Sequence, residues 1–422
     1  MKARRPSRTH VTLSWGLGDQ IVASGSNFVF IVIAAKTLPA ADFGAIAIVL
    51  ELCLLSAFIA RGITGDPLTS RFAGASDAEL KHPLRSAATA TVVIGILVGA
   101  GLAVAALLTE GPLRSVLLVA AVATPGLTLQ DFVRSALIVQ GRVKSTFVND
   151  LLWAVIQLPA LGAAILLDAG AATVFAAWAA TGCLTALVGM FQLKCRFGSL
   201  RTVPAWLRET RELWPYYLAD NLVYQLTSLL LVLVISTTSG LVAVAGFRVA
   251  MTVYAPLSTI GRGVISVAVA MLARRRNDPP GVRSRAMLIS AALTPMAIGW
   301  GLLMLLVPDS LGEAAFGSSW QPAEPLLFLA GFVSAAGLFG SGAVAGLRGL
   351  GAGRHTLAGR AAVSIGASVA AAAGGYIDGV HGVFVALAWI FPIQAAVWWW
   401  LLRDATHRAE EKLRSGESLD IE

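Results

Sequence analysis

Charge is scarce in this chain, and cysteine and histidine are scarcer. Of 422 residues only 13% are Asp, Glu, Lys or Arg, too few to cover the surface of a water-soluble protein of that length. The three cysteines, Cys53, Cys183 and Cys195, fall inside apolar runs or at their ends, which indicates neither a disulfide framework nor a zinc site. The five histidines, His10, His82, His355, His381 and His407, are scattered and form no H-E-x-x-H pair. There is no G-x-x-x-x-G-K-[ST] phosphate loop, so nothing points to ATP hydrolysis; "GRVKST" at 141–146 matches it only superficially.

What is present is apolar sequence: 56% of the residues are hydrophobic. Runs of about 18–25 apolar residues recur from end to end, each long enough to cross about 30 Å of hydrocarbon. The pattern predicts an all-α polytopic membrane protein with about twelve transmembrane helices. Their limits fall near 14–36, 43–66, 86–109, 115–139, 148–168, 172–193, 213–237, 241–271, 286–307, 321–347, 357–376 and 380–402. The loops support this count. With the N-terminus inside, the inner segments hold 26 of the 32 basic residues, while the outer loops hold only Lys36 and Arg114. Both termini are therefore expected in the cytoplasm of a bacterial inner membrane, by the positive-inside rule. The net charge of +8 then belongs to the cytoplasmic face and to anionic headgroups, not to nucleic acid.

Shifted by 201 residues, the chain aligns with itself at its intramembrane polar positions. Asp19-Gln20 falls on Asp220-Asn221, Ser24 on Gln225, and Arg61-Gly62 on Arg262-Gly263. Six spans per half make the repeat parallel, with the halves expected around a central cavity. The expected organisation is an arm (1–13), a six-helix bundle (14–199), a linker (200–214), a second six-helix bundle (215–403) and a cytoplasmic, mobile tail (404–422). In the linker, Trp206, Leu207, Thr210, Leu213 and Trp214 line one side at helical spacing. That pattern predicts an amphipathic helix lying on the cytoplasmic interface.

The charges inside the spans are the candidate functional groups. Asp19 and Asn27 share one face of span one with Ser26, and Gln20 and Ser24 lie beside it; Asp220, Asn221, Gln225 and Ser228 repeat this in span seven. Both faces are expected to point at the boundary between the halves. Asp19 and Asp220 read either as helix-start acids supported by the N-terminal dipole or as groups taking up H⁺ or Na⁺ during transport. Arg61 and Arg262 form a symmetry-related pair suited to phosphate oxygens, because a planar guanidinium binds them bidentately. Arg248 and Arg134 would extend that cationic path; Arg134 has Asp131 within pairing range on its own helix. Snorkelling to headgroup phosphates is the alternative for each arginine. Glu51, in span two, has no partner evident in the sequence.

The segment "LGDQIVASGSNFVFIVIAAKTLPAADFGAIAIV" resembles the opening of the polysaccharide-transporter branch, the Wzx-like flippases, of the multidrug/oligosaccharidyl-lipid/polysaccharide (MOP) exporter superfamily. The matching positions are Asp19, Gln20, Ser24, Asn27 and Phe28, then Ala35, Leu38, Phe43 and Gly44. The resemblance implies a flippase or exporter, not an enzyme, with no cofactor beyond H⁺ or Na⁺ coupling. It implies alternating access and a polyprenyl-diphosphate-linked glycan as substrate, with membrane lipids and polysaccharide assembly proteins as partners. It also implies that Arg61 and Arg262 match two of the arginines that bind the lipid diphosphate in the lipid II flippase. Span one departs from that pattern, since Asp19 stands there and no arginine does. A multidrug exporter of the same superfamily is the first alternative. A membrane polysaccharide polymerase or glycosyltransferase is the second, disfavoured by the short outer loops.

Overall fold

The computed structural model describes residues 8–72, 75–351 and 353–415. Lys2, Arg4 and Arg5 of the N-terminal arm lie outside the described residues, as does the end of the tail, 416–422. Helices α1 (Arg8–Thr37), α2 (Ala40–Ala60), α3 (Asp66–Arg71), α4 (Asp77–Leu107), α5 (Gly111–Val139), α6 (Val143–Leu166) and α7 (Ala171–Leu193) are followed by a short α8 (Thr202–Glu209). Then come α9 (Trp214–Val253), α10 (Ala255–Ala273), α11 (Pro279–Leu305), α12 (Asp309–Phe316), α13 (Leu327–Leu350) and α14 (Gly353–Arg414).

Among the described residues ten helices are long and apolar enough to cross a membrane. Two of them contain a backbone break, at Gly240 (φ 80°) in α9 and at Asp378-Gly379 (Gly379 φ 55°) in α14. Positive φ at Gly240 and Gly379 is accessible because glycine has no Cβ. Divided there, the ten become twelve segments, in agreement with the twelve expected spans. The segment after Gly240 continues through Tyr254, still in the right-handed helical region, into α10.

The chain forms two compact units that meet in sequence at Leu229 and Leu230. The first unit contains α1–α8 and the first part of α9. Its helices begin on local signals. The backbone N–H and hydroxyl of Ser76 both donate to Glu79 Oε2 at the start of α4, at 2.8 and 2.7 Å. Within the bilayer, close approach of small residues substitutes for a hydrophobic driving force. Gly95 of α4 lies against Pro125 of α5, and a Cβ there would sit 2.6 Å from the Pro125 Cα. One core cluster of the first unit contains Leu68, Leu84, Phe132, Leu137, Met190 and Trp206.

Between α2 and α3 the chain makes a π-helical turn, Arg61–Gly65. Such turns add one residue to the helix and free backbone groups for other partners. Here the Ile63 carbonyl accepts from Trp206 Nε1 at 3.0 Å. Trp206 is buried to 1% exposure, and Thr210 is fully buried beside it. The Trp206 side of α8 turns into protein, where the indole N–H finds its acceptor at the π turn.

Gly62 in the same turn meets the backbone of α9; a Cβ would lie 2.7 Å from Leu218 Cα and 2.9 Å from Leu218 N. Backbone cannot yield as a flexible side chain does. Gly62→Ala is expected to destabilise by about 1–3 kcal/mol, the usual cost of overpacking. The repeat-related Gly263→Ala, with nothing within 4 Å of its built Cβ, is the matched neutral change. Thermal unfolding in detergent compares the two.

The second unit packs α13 against α10, α11 and α14. Ala286, Ala343, Leu347, Trp398 and Leu402 form one buried cluster, and Ala268, Leu272, Val282 and Ala345 another. Within the expected tail, α14 runs on as helix to Arg414, with Leu402, Thr406 and Ala409 buried. These residues recur at i, i+4 and i+7, the spacing of one helical face.

Candidate functional site

The first unit encloses a group of polar side chains drawn from α1, the π turn, α5 and α6. α5 supplies Gln130, Asp131 and Arg134 from one turn, and the last two diverge to different partners. Arg134 pairs through Nη2 with Asp19 of α1, and its Nη1 lies 3.6 Å from Asp150 Oδ2 of α6. Both carboxylates are 7% exposed and the guanidinium 27%. Asp131 instead pairs with Arg61 at the π turn; Arg61 Nε donates to Asp131 Oδ2 at 3.0 Å, and its Nη2 to Oδ1. Arg61 also lies over the Phe58 ring, 5.2 Å from the centroid. Arg134 thus pairs across helices rather than with Asp131 on its own helix.

Neutral donors complete the group. Gln130 Nε2 donates to Asn149 Oδ1 at 2.8 Å and to Asp150 Oδ1 at 3.4 Å. Asn149 Nδ2 donates to the Thr185 carbonyl at 3.0 Å. Further along α6, Gln157 Nε2 donates to Ser26 Oγ at 2.6 Å. Buried charge is tolerated only when paired and hydrogen-bonded, and these contacts supply that for Asp19, Asp131 and Asp150. Among the buried oxygens without a hydrogen-bond partner are Asp19 Oδ1, Gln130 Oε1, Gln157 Oε1 and, on α6, Thr146 Oγ1.

A second polar set ties α9 to α2. Asn221 Nδ2 donates to Asp66 Oδ2 at 2.9 Å and to the Phe58 carbonyl at 3.2 Å. Gln225 Nε2 and Ser228 Oγ both donate to Glu51 Oε2 at 2.9 Å. Residues 221, 225 and 228 lie on one helical face, and the first unit ends just beyond them at Leu229. The sequence places that boundary at the linker; these bonds are the physical reason that the first part of α9 belongs with α2.

Asp19 and Ser26 of the span-one face thus turn toward α5 and α6 inside the first unit, while Asn27 is exposed and Gln20 bonds its own helix at Ser24 (3.1 Å). Asp220 is half-buried on α9. In the second unit Arg248 is half-buried and Arg262 is exposed. Leu257, Gly261, Ala268 and Leu272 form the buried face of α10, and Ser258, Thr259 and Arg262 lie off it as a polar strip. Arg262 Nη2 donates to Thr259 Oγ1 at 3.1 Å.

Sequence reasoning missed Asp150, Asn149, Gln130 and Asp66. Their signal was available in the spacing. Gln130 and Arg134 are four apart within an apolar run, and Asn149-Asp150 interrupts the start of the next. Outside the spans, burial pushes the Cys195 thiol up, with the Arg85 guanidinium opposing. That thiol is therefore not a reactive group. Among the described residues no three His, Cys, Asp or Glu side chains are grouped to hold a metal ion.

The helical fold is similar to that of several solved membrane proteins. One is a multidrug resistance MATE family transporter of the MOP superfamily in an inward-facing conformation, with TM-score 0.69 and 14% identity, covering 93% of this chain and 96% of that one. Another is the lipid II flippase MurJ, inward closed, with TM-score 0.69 and 10% identity over 96% and 92%. A third is a MOP superfamily transporter from Pyrococcus furiosus described as having reverse polarity of its binding pocket, with TM-score 0.56 and 13% identity over 94% and 96%. No protein-family model and no curated protein matches the chain. The fold is that of the MOP superfamily transporters.

Proposed function

We propose that this chain is a proton-coupled flippase of a bacterial inner membrane that moves a polyprenyl-diphosphate-linked oligosaccharide outward. The observation that carries the reading is a contrast in exposure. The intramembrane carboxylates Asp19, Glu51, Asp131 and Asp150 are turned into protein and bonded there, whereas Arg262 presents its guanidinium on an exposed polar strip. An organic cation needs an accessible acid; a diphosphate needs an accessible guanidinium. The multidrug alternative therefore has less to bind to.

The Arg134 group supports the coupling step. Two carboxylates share one guanidinium, so full ionisation leaves one uncompensated negative charge in a poorly solvated place. Uptake of one proton neutralises it, and release restores it. The inside-negative potential adds about 2.3 kcal/mol per charge per 100 mV to outward movement of an anionic head. Both termini are placed in the cytoplasm on the distribution of basic loops.

The test is made in cells. Strains deleted for the gene and complemented with wild type or Arg262→Ala are assayed for surface polysaccharide and for lipid-linked glycan on the inner leaflet. Deletion is expected to abolish the polymer and accumulate the lipid-linked unit. Arg262→Ala is expected to lower flipping roughly tenfold to a hundredfold, since a hydrogen bond to a charged group contributes about 1.5–3 kcal/mol. Normal polysaccharide with altered drug tolerance in the deletion strain would select the exporter instead. Full rescue by Arg262→Ala would remove Arg262 from the site.

A further inference from the structure

The turn that joins α10 to α11 carries five arginines in twelve residues: Arg274, Arg275, Arg276, Arg283 and Arg285. The first four are exposed and Arg285 is half-buried. Arginines elsewhere at helix ends are used by the chain itself. Arg71 Nη1 donates to the Glu209 carbonyl at 2.6 Å, Arg142 Nη1 donates to the Gln192 carbonyl, and Arg408 pairs with Asp404. The five of this turn are not so used: among the described residues no side-chain hydrogen bond or ion pair engages them, and Arg285 Nη1 is buried without a partner. Asp278 is the one acid between Arg274 and Arg285, and its Oδ1 accepts from Gly281 N at 3.0 Å as the cap of α11.

The turn is fixed from beneath, since Leu272 and Val282 are buried in one cluster with Ala268 and Ala345. The arginines just beyond each are therefore held at the same end of the helix pair. One turn deeper, both helices present apolar side chains outward. Met271 precedes Arg274 on α10, Met287 follows Arg283 by four residues, and Leu288 follows Arg285 by three, which places each pair on one helical face. The three are 43%, 42% and 66% exposed. A guanidinium one turn above an exposed apolar side chain matches the two ends of a phospholipid, phosphate at the headgroup level and acyl chain along the helix.

We infer that the α10–α11 turn is a binding site for an anionic phospholipid: Arg283, Arg285 and the 274–276 run hold the headgroup phosphate, and the acyl chains lie along Met271, Met287 and Leu288. With the orientation given by the loop charges, this end lies in the inner leaflet, whose surface is negative. Arg262 stands twelve residues earlier on α10, about 18 Å away at 1.5 Å per residue, so the site is separate from the one proposed above and independent of the transported substrate. Any basic turn attracts anionic lipid by charge. A site needs in addition the planar fork of arginine, which lysine lacks, and the apolar surface beneath it.

The purified full-length protein in neutral detergent is titrated with phosphatidylglycerol or phosphatidylcholine, and bound lipid is counted by native mass spectrometry. Wild type is expected to retain phosphatidylglycerol saturably, and about tenfold more tightly than phosphatidylcholine, because charge-assisted hydrogen bonds are the strong ones. Arg283→Lys combined with Arg285→Lys keeps the net charge and removes both forks; it should weaken phosphatidylglycerol binding about tenfold. Arg201→Lys, at an exposed position of the first unit, should leave it unchanged. Leu288→Gln keeps every arginine and should also weaken the lipid. Inorganic pyrophosphate, which has no acyl chain, should bind far more weakly. Equal retention of the two lipids would overturn the assignment. Wild-type affinity in the double lysine variant would do the same, by reducing the turn to diffuse surface charge. So would unchanged lipid binding in Leu288→Gln, or pyrophosphate binding as tight as that of the lipid, which would make this a free-phosphate site.

Discussion

Arg134→Met is expected to destabilise the protein by about 3–5 kcal/mol, the cost of breaking a buried ion pair and leaving its partner charge uncompensated. The reason is asymmetry. Asp19 and Asp150 are each 7% exposed and cannot recover water when the guanidinium is removed. Methionine fills similar volume, so the loss reports charge rather than a cavity. Two companion proteins give the result its meaning. Asp150→Asn in the Arg134→Met background removes one of the two stranded charges and should recover a substantial part of the loss. Such non-additivity is the signature of residues in one network. Arg408→Met breaks a pair with Asp404 whose side chains are 48% and 41% exposed, and should change the midpoint little, since surface pairs contribute about 0–1 kcal/mol. Thermal unfolding of the four proteins in one detergent makes the comparison. An Arg134→Met protein as stable as Arg408→Met would show that the network carries no structural charge compensation.

Trp206→Ala should cost a similar amount, about 3–5 kcal/mol, for a different reason. Trp206 is the largest side chain among those fully buried, and it stacks on Phe72 with ring centroids 6.4 Å apart. Truncation leaves a void beneath the linker helix. Trp206→Phe separates packing from hydrogen bonding: it keeps most of the ring volume and loses only the donor to Ile63. Its expected cost is nearer 1–3 kcal/mol, because the carbonyl freed by the π turn would then be left without its partner. Unfolding midpoints, read with protease sensitivity of the 200–214 segment, check both. Equal effects of the two substitutions would place the whole contribution of Trp206 in its hydrogen bond.

The two effects show where the sequence was legible and where it was not. The apolar runs could be counted because hydrocarbon thickness fixes the length of a spanning helix. The two breaks at Gly240 and Asp378-Gly379 fall between expected spans. Arg61, Arg134, Asp19 and Asn221 could be flagged one by one, because any polar group in a bilayer demands a reason. Their partners could not be read. Asp131 lies three residues from Arg134 on the same helix, the nearest pairing that spacing offers, yet the structure gives Asp131 to Arg61, 70 residues away in the chain. Glu51 showed no partner at all, because Gln225 and Ser228 lie more than 170 residues further on.

By itself, the sequence determined that this is an all-α membrane protein of many spans, and which residues had to be explained. Length, hydropathy and loop charge are local properties, and local properties survive translation into a string. Only the tertiary structure decided that Asp19 and Asp150 are enclosed, that Arg134 pairs with both, and that Arg262 lies exposed on α10. Those facts depend on which helix faces the two arginines meet, and helix packing is set by small residues and backbone irregularities such as Gly62 and the π turn, not by the charges that it brings together.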